Sequence, residues 1–205
     1  MKIFAVVSLS IALAACHHHG ALGTPQSNDL ILTAMGIPQV SGDVQPNPCP
    51  SNTGEGKIKL TFSNGADRVK GECHGGVMVG DWKAWYDNGA LLWKATFNNG
   101  VLTGRFKSWY PNDEVQAEVD FDAGQPTGKM KAWWYNGKKR AEGDYLGGKK
   151  NGCWETWHDN GQKATKGTYS DDQQVLSWIN WTPSGEKSKQ ELGGEAAHGK
   201  CLIML

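Results

Sequence analysis

Between about residue 56 and residue 184, apolar and polar residues alternate in short runs, and the same pattern returns every 24 residues. From Gly80 to Thr103, for example, the runs DWKAWY and ALLWKATF flank the tripeptide Asp87-Asn88-Gly89. Such alternation predicts β-strands, and Asn-Gly between two runs predicts a hairpin turn because both residues accept a positive φ. Helical spacing of apolar residues is missing from every window of useful length, so the pattern predicts a β-meander.

Four sequence columns share this period without insertion or deletion. They are glycine (Gly56, Gly80, Gly104, Gly128, Gly152), tryptophan (Trp85, Trp109, Trp133, Trp157, Trp181), the turn asparagine (Asn64, Asn88, Asn112, Asn136, Asn160) and a second ring (Phe97, Phe121, Tyr145, Tyr169), which Cys73 replaces in the first copy. A fixed period of this length indicates a one-dimensional array of identical units. We therefore predict an all-β fold, an elongated single-layer antiparallel β-meander of about ten to twelve strands built from 24-residue hairpin repeats.

The buried face of the predicted sheet depends on the length of the Asn-Gly turn. A two-residue loop would put the Trp85 column on the polar face beside Lys83 and Lys94. The opposite, apolar face would then carry Trp82, Ala84, Tyr86, Leu91, Trp93 and Ala95. A three-residue loop with a bulge would instead place Trp85 with Leu91, Trp93 and Phe97. Both registers are open at this point, and either one puts an aromatic column on each face.

The start of the chain predicts export. Met1-Lys2 precedes an apolar run from Ile3 to Ala15 that is too short to span a bilayer as a mature helix. The run ends Leu13-Ala14-Ala15-Cys16, which resembles the lipobox of bacterial lipoproteins. The resemblance implies cleavage before Cys16 and attachment of a lipid to that residue. Because His17 follows rather than aspartate, it also implies the outer membrane if the host is Gram-negative.

Four segments follow from these patterns. Residues 1–15 are the predicted lipoprotein signal peptide, and residues 16–55, rich in Pro, Gly, Ser, Asn and Asp, are a predicted flexible tether. Residues 56–184 form the predicted repeat array, and residues 185–205 a C-terminal tail or cap.

Charge argues against one class of partner. The chain has 21 basic and 21 acidic residues and a formal net charge of +0, so it lacks the basic surface that nucleic-acid binding requires. Lysine does recur at the period, at Lys59, Lys83, Lys107 and Lys131, but Glu155 ends that column. We interpret it as a solvated face.

Chemistry beyond binding finds little support in the sequence. His74, His158 and His198 have no repeat-consistent nucleophile beside them, and the many glycines belong to turns rather than to a phosphate-binding loop. The run His17 to His19 has no further ligand cluster nearby and is interpreted as a polar spacer. We therefore predict a protein that is not an enzyme and has no cofactor and no metal site.

Four cysteines remain once Cys16 is set aside. They are Cys49, Cys73, Cys153 and Cys201, an even number that indicates disulfides in an exported chain. Three pairings are possible. We favour Cys49–Cys73 and Cys153–Cys201 because these two would hold the two open ends of the array, where a repeat protein most needs capping.

The repeat also resembles a known family. The pattern GxWxxWYxNGxLxxxxxFxxGxxxG, read from Gly80 to Gly104, resembles the MORN-variant repeats of bacterial YwqK-type proteins, which are often labelled as toxin–antitoxin immunity components. The resemblance covers residues 56–185, about five and a half units. The first copy departs from it, with Ile58, Thr61 and Cys73 where rings are expected. It implies a β-repeat scaffold for binding lipids or proteins.

These observations predict a membrane-anchored repeat scaffold that binds a protein or glycan partner at the cell envelope. The candidate partner-binding face is the column of equally spaced rings Trp85, Trp109, Trp133 and Trp157, because several weak contacts add by avidity. Two alternatives are an immunity protein of the antitoxin type that neutralises a specific toxin, and a structural envelope lipoprotein without a discrete ligand.

The lipobox gives a direct prediction. Replacing Cys16 by serine removes the acylation site, so Cys16→Ser should leave the membrane fraction, whereas the wild type stays there because several acyl chains anchor far more firmly than one. Metabolic labelling with a radioactive fatty acid should mark the wild type and not Cys16→Ser. A wild type that takes up no label would contradict the lipoprotein interpretation.

Overall fold

The computed structural model describes residues 48–49, 55–196 and 198–201. The predicted signal peptide, Cys16 and most of the predicted tether lie outside the described residues. The described part contains twelve strands and no helix that could cross a membrane. The strands are β1 (Gly56–Thr61), β2 (Asp67–His74), β3 (Val77–Trp85), β4 (Leu91–Asn98), β5 (Val101–Trp109), β6 (Val115–Asp122), β7 (Gln125–Trp133), β8 (Lys139–Leu146), β9 (Lys149–Trp157), β10 (Lys163–Ser170), β11 (Gln173–Trp181) and β12 (Lys187–Glu191).

All twelve strands belong to one open sheet whose spatial order is the order of the sequence. Every neighbouring pair is antiparallel, so each strand pairs only with the strands before and after it. The predicted all-β, single-layer meander is confirmed. Residues 185–205, predicted as a tail or cap, contribute the last strand, β12.

Two kinds of hairpin turn alternate along the sheet. Between β3 and β4, the N–H of Tyr86 donates to the carbonyl of Ala90 and the N–H of Gly89 donates to the carbonyl of Tyr86, which encloses a three-residue loop. Gly89 ends this loop with a φ of 86°. Between β4 and β5, Asn99 and Gly100 have φ values of 48° and 76°, a two-residue turn whose twist matches that of the strands.

A bulge in β4 corrects the phase that the three-residue loop sets. Trp85 lies opposite Leu91, but the next pair is Ala84 with Trp93, so Leu92 is an extra residue. The turn is thus the three-residue loop, while the faces are those expected of the two-residue loop. Trp85 shares a face with Lys83 and not with Trp93, because one inserted residue reverses which side of the sheet the following side chains occupy.

We call the two sides of the sheet the core face and the tryptophan face. The core face carries the buried side chains, among them Trp82, Ala84, Phe106, Ala117, Val119, Phe121, Met130, Ala132, Tyr145, Trp154 and Trp178. The tryptophan face carries Trp85, Trp109, Trp133, Trp157 and Trp181, which are half-buried, together with most of the ion pairs.

The second ring column lies on the core face, where each ring sits opposite a glycine of the period. Phe121, for example, lies opposite Gly104, whose φ of 66° few other residues adopt. The same position in the last repeat is Leu176, with a φ of 62°. Its N–H and carbonyl bond to the backbone of the C-terminal segment at Gly193 and Leu192, so this strained leucine marks where the array meets its end.

The core face has no second layer above it, so its large rings must cover their own sheet. Trp82 achieves an exposed fraction of 0% because its indole lies flat over Gly71, where any Cβ would overlap the ring. Trp154 over Gly143 and Trp178 over Gly167 repeat this arrangement. The two repeats between them use smaller rings or chains over larger neighbours, Phe106 after Ala95 and Met130 after Val119. Ring size and neighbour size therefore compensate at a constant separation of 11 residues.

Two disulfides lie near the ends of the array. Cys49 is joined to Cys73 in β2, with Cα atoms 5.8 Å apart, and Cys153 in β9 is joined to Cys201, with Cα atoms 4.7 Å apart. These are the two pairs favoured from the sequence. The second one brings the C-terminal segment back across β9 and β10, where the N–H of Cys201 donates to Oγ1 of Thr168.

The size compensation predicts the outcome of a double-mutant cycle. Gly143→Ala should lower the free energy of unfolding by about 1–3 kcal/mol, because the new methyl group displaces the Trp154 ring. In the background of Trp154→Phe the same change should cost clearly less, because it recreates the Ala95–Phe106 combination of another repeat. Urea unfolding of the four proteins measures both costs. Equal costs in the two backgrounds would contradict the compensation.

Candidate functional site: the tryptophan face and an aromatic groove

The predicted tryptophans hold equivalent positions in the structure. Trp85, Trp109, Trp133 and Trp157 are each the last residue of an odd-numbered strand, immediately before a three-residue loop. All four are half-buried, so part of each ring reaches the surface of the tryptophan face. The structure therefore brings the four predicted site residues onto one face, in one column, at one step per repeat.

Lysine side chains lie over several of these rings. Nζ of Lys70 is 5.5 Å from the ring centroid of Trp85, and Nζ of Lys94 and of Lys107 are 5.6 and 5.3 Å from that of Trp109. An ammonium group above an indole is attracted by the negative face of the ring. The surface of this column is thus a mixture of cation and aromatic ring.

A ladder of hydrogen bonds fixes the spacing of the column. The residue after each tryptophan donates from its ring to the backbone carbonyl of the tryptophan in the next repeat, 23 residues on. The pairs are Tyr86 Oη to Trp109 (2.9 Å), Tyr110 Oη to Trp133 (3.0 Å), Trp134 Nε1 to Trp157 (2.9 Å) and His158 Nε2 to Trp181 (2.8 Å). Four ring types serve one role because each can present an N–H or O–H at the same place.

A second ladder runs through the turns. The side-chain amide of each turn asparagine donates to a carbonyl in the next repeat, as Nδ2 of Asn112 does to Tyr135 at 3.0 Å, while its Oδ1 accepts an N–H within its own turn, from Glu114. The other members are Asn64, Asn88, Asn136 and Asn160. The asparagine column is therefore a link between repeats as well as a turn residue.

Ion pairs cover the tryptophan face in the second half of the array. Glu155 contacts Lys163 and Lys166 at 3.0 and 2.9 Å. Burial by itself would raise the pKa of Glu155, but the hydrogen bonds from the two lysines outweigh it and hold the pKa below its usual value. The hydrogen bond from Lys139, at 2.6 Å, likewise lowers the pKa of Glu142. Both carboxylates are ionised at neutral pH and neutralise their neighbours.

The core face opens into a groove in the same half. Its volume is about 310 Å³, and it is lined by Met130, Arg140, Ala141, Tyr145, Lys150, Trp154, Thr156, Thr165, Tyr169, Gln174 and Trp178. The aromatic rings meet edge to face, with centroids 5.0 to 5.9 Å apart. Burial raises the pKa of Tyr145, so its hydroxyl stays neutral. Nε1 of Trp178 has no hydrogen-bond acceptor among the described residues.

Some of these features could not be found from the sequence columns. The ring donors after each tryptophan differ in type, so only their common ability to donate would have marked them. The groove draws residues from five strands, β7 to β11, and no single window contains them. Within the described residues, no group of three His, Cys, Asp or Glu side chains is placed to hold a metal ion. Cys16, the predicted lipid-attachment residue, lies outside them.

The geometry defines a class of protein, a β-hairpin repeat scaffold with a regular aromatic face. Two segments, residues 102–123 and 150–171, match the family model of the MORN repeat variant. They fall on the β5–β6 and β9–β10 hairpins, in the same phase of the repeat, and together cover about a fifth of the chain. The matches support a MORN-repeat protein, and MORN repeats form scaffolds that often take part in binding. No curated protein matches the chain.

The ring ladder predicts a difference between two tyrosines. Tyr110→Phe removes the hydrogen bond to Trp133 and should lower the free energy of unfolding by about 0.5–1.5 kcal/mol. Tyr135→Phe is the matched control, because that side chain is 56% exposed at a turn and should leave stability unchanged. Urea unfolding measures both. Equal stability of Tyr110→Phe and the wild type would contradict a structural role for the ladder.

Proposed function

We propose that this protein is a membrane-anchored repeat scaffold that binds a protein or glycan partner at the cell envelope. In this proposal the lipid on Cys16 fixes the chain to the membrane, and residues 16–55 give the array reach. The envelope surface is that of the outer membrane if the host is Gram-negative. The lipobox and the apolar run before it support the anchoring, and the matched repeats support the scaffold.

The observation that carries the proposal is the tryptophan face. Its rings lie on the side of the sheet away from the core, are only half-buried, and recur at a fixed step set by the ring ladder. Large apolar rings at regular intervals on a surface are typical of interaction sites, since each offers contact area at a small cost in conformational entropy. A partner that spans several repeats makes several weak contacts at once, and these add by avidity.

The aromatic groove supports a glycan among the possible partners. Ring edges and faces from Tyr145 and Tyr169 lie beside the hydroxyls of Thr156 and Thr165 and the free N–H of Trp178. Concave sites with apolar walls and a few polar groups are the usual form of small-ligand pockets. A sugar, which presents both C–H surfaces and hydroxyls, is complementary to such a groove.

Retrieval of partners from the host envelope tests the proposal. We expect the full chain carrying Cys16→Ser, immobilised, to retain an envelope component, and the added change Trp109→Ala to weaken that retention without unfolding the array. Tyr135→Ala, which removes an exposed aromatic ring away from the tryptophan face, should retain it fully. Thermal melting of each variant checks the fold.

Other outcomes would favour the alternatives. Capture of one stoichiometric toxin-like protein, with loss of toxicity, would favour the immunity protein of the antitoxin type. Retention of nothing by the wild type would favour a structural envelope lipoprotein. If Trp109→Ala unfolds the array, the tryptophan column belongs to the core and the assignment of the site is wrong.

A further inference from the structure

A row of five lysines crosses the first half of the tryptophan face. The strand register places Lys59 opposite Lys70, Lys70 opposite Lys83, Lys83 opposite Lys94, and Lys94 opposite Lys107. We call this set the lysine row. It spans β1 to β5, about 19 Å at the usual strand spacing of ~4.8 Å. Three of its members lie in the 24-residue column visible in the sequence, and the other two enter from the strands between.

Such a row works against the stability of the sheet, since like charges directly opposite one another on neighbouring strands repel. The same row continues through the second half of the array, where its members are Glu118, Lys131, Glu142, Glu155 and Lys166. There, acids and lysines mix, and Glu142 and Glu155, which face each other, both contact lysines. The backbone therefore accepts a balanced row, and the fold does not require five lysines.

The centre of the lysine row has no counter-charge. Asp67 contacts Lys59 and Lys70 at one end, and Glu118 contacts Lys107 at 2.5 Å at the other. Hydrogen bonds from Lys70 and then Lys59 lower the pKa of Asp67. Lys83 and Lys94 are exposed, and neither contacts a carboxylate among the described residues. Residues 56–109 as a whole carry eight basic against four acidic residues, whereas residues 115–191 carry eleven of each.

Aromatic rings lie directly beside this charge. Trp85 and Trp109 stand two residues after Lys83 and Lys107 on the same strands and the same face. The ammonium groups of Lys70, Lys94 and Lys107 are within 5.6 Å of the two ring centroids. A partner that follows the row thus meets cations at every strand and two indole rings along one side.

We propose that the lysine row binds a linear acidic polysaccharide whose carboxylates pair with the lysines and whose sugar rings contact Trp85 and Trp109. The proposal rests on the proposed function, in which the tryptophan face holds an envelope partner, and it names the chemistry of that partner. Acidic polysaccharides carry anionic groups at regular intervals along a narrow chain, which fits a row one residue wide. A flat anionic bilayer would also meet the acids of the second half and gain less.

Two single substitutions in the same row provide a matched test. Lys83→Glu and Lys131→Glu change the net charge equally, in the first and second half respectively. Lys83→Glu puts an acid between Lys70 and Lys94 and should raise Tm by about 1–3 °C. Lys131→Glu puts an acid between Glu118 and Glu142 and should lower Tm by a similar amount.

Binding is measured with polygalacturonate, and with its fully methyl-esterified form as the uncharged control. The full chain carrying Cys16→Ser should bind polygalacturonate and not the ester, more weakly as salt rises. Lys83→Glu should weaken this binding about tenfold, and Lys131→Glu should leave it unchanged. A change that stabilises the fold and weakens binding is expected of a site, and not of a residue that serves structure alone.

Several results would overturn the proposal. Equal weakening by Lys83→Glu and Lys131→Glu would show a response to net charge alone. Absence of binding to polygalacturonate together with binding to vesicles of phosphatidylcholine and phosphatidylglycerol would assign the row to a membrane surface, and preference for a thymidine oligonucleotide would assign it to nucleic acid.

The proposed function can fail separately. If the envelope retrieval depends on Trp109 while polygalacturonate does not bind and Lys83→Glu retains the envelope component, the scaffold stands and the lysine row is wrong as a polysaccharide site. If polygalacturonate binds in a row-dependent way while Trp109→Ala changes no retrieval, the lysine row stands and the role of the tryptophan column falls.

Discussion

A sheet without a second layer has to bury its core face with its own side chains. This protein does so by laying indole rings flat over glycines of the preceding strand, as Trp82 does over Gly71, and by matching a smaller ring or chain with a larger neighbour elsewhere. The close approach of ring and backbone gives the interior packing density that a second layer would otherwise supply. The choice of face, the bulges and the positions of the glycines all follow from this arrangement.

The constant period turns local contacts into long ladders. Bonds from one repeat to a carbonyl 23 residues later recur along the tyrosine, tryptophan and histidine column and again along the asparagine column. Each repeat is thereby held only by its neighbours, so the two ends are the weak points of the array. The disulfides of Cys73 and Cys153 join those neighbourhoods to the flanking chain, and each such bond typically contributes about 2–4 kcal/mol.

The tryptophan face shows that one backbone can carry two charge patterns. Its second half is neutralised by pairs such as Glu155 with Lys166, and its first half concentrates cations beside exposed rings. Because these side chains stand on the solvated side of the sheet, their replacement alters the surface and leaves the ring packing of the core face untouched. A repeat scaffold of this kind separates the residues that make the fold from those that meet a partner.

The 24-residue period by itself determined that the chain is an all-β meander of hairpins, because turn chemistry and strand alternation are local properties. It also placed Trp85 and its equivalents in one column. The face of that column was decided only in the tertiary structure, where a three-residue loop and the extra residue Leu92 cancel in phase. The lysine row was hidden for a related reason. Lys70 and Lys94 lie outside the sequence column, and only the pairing of strands sets them between its members, because side chains become neighbours through register and not through their spacing along the chain.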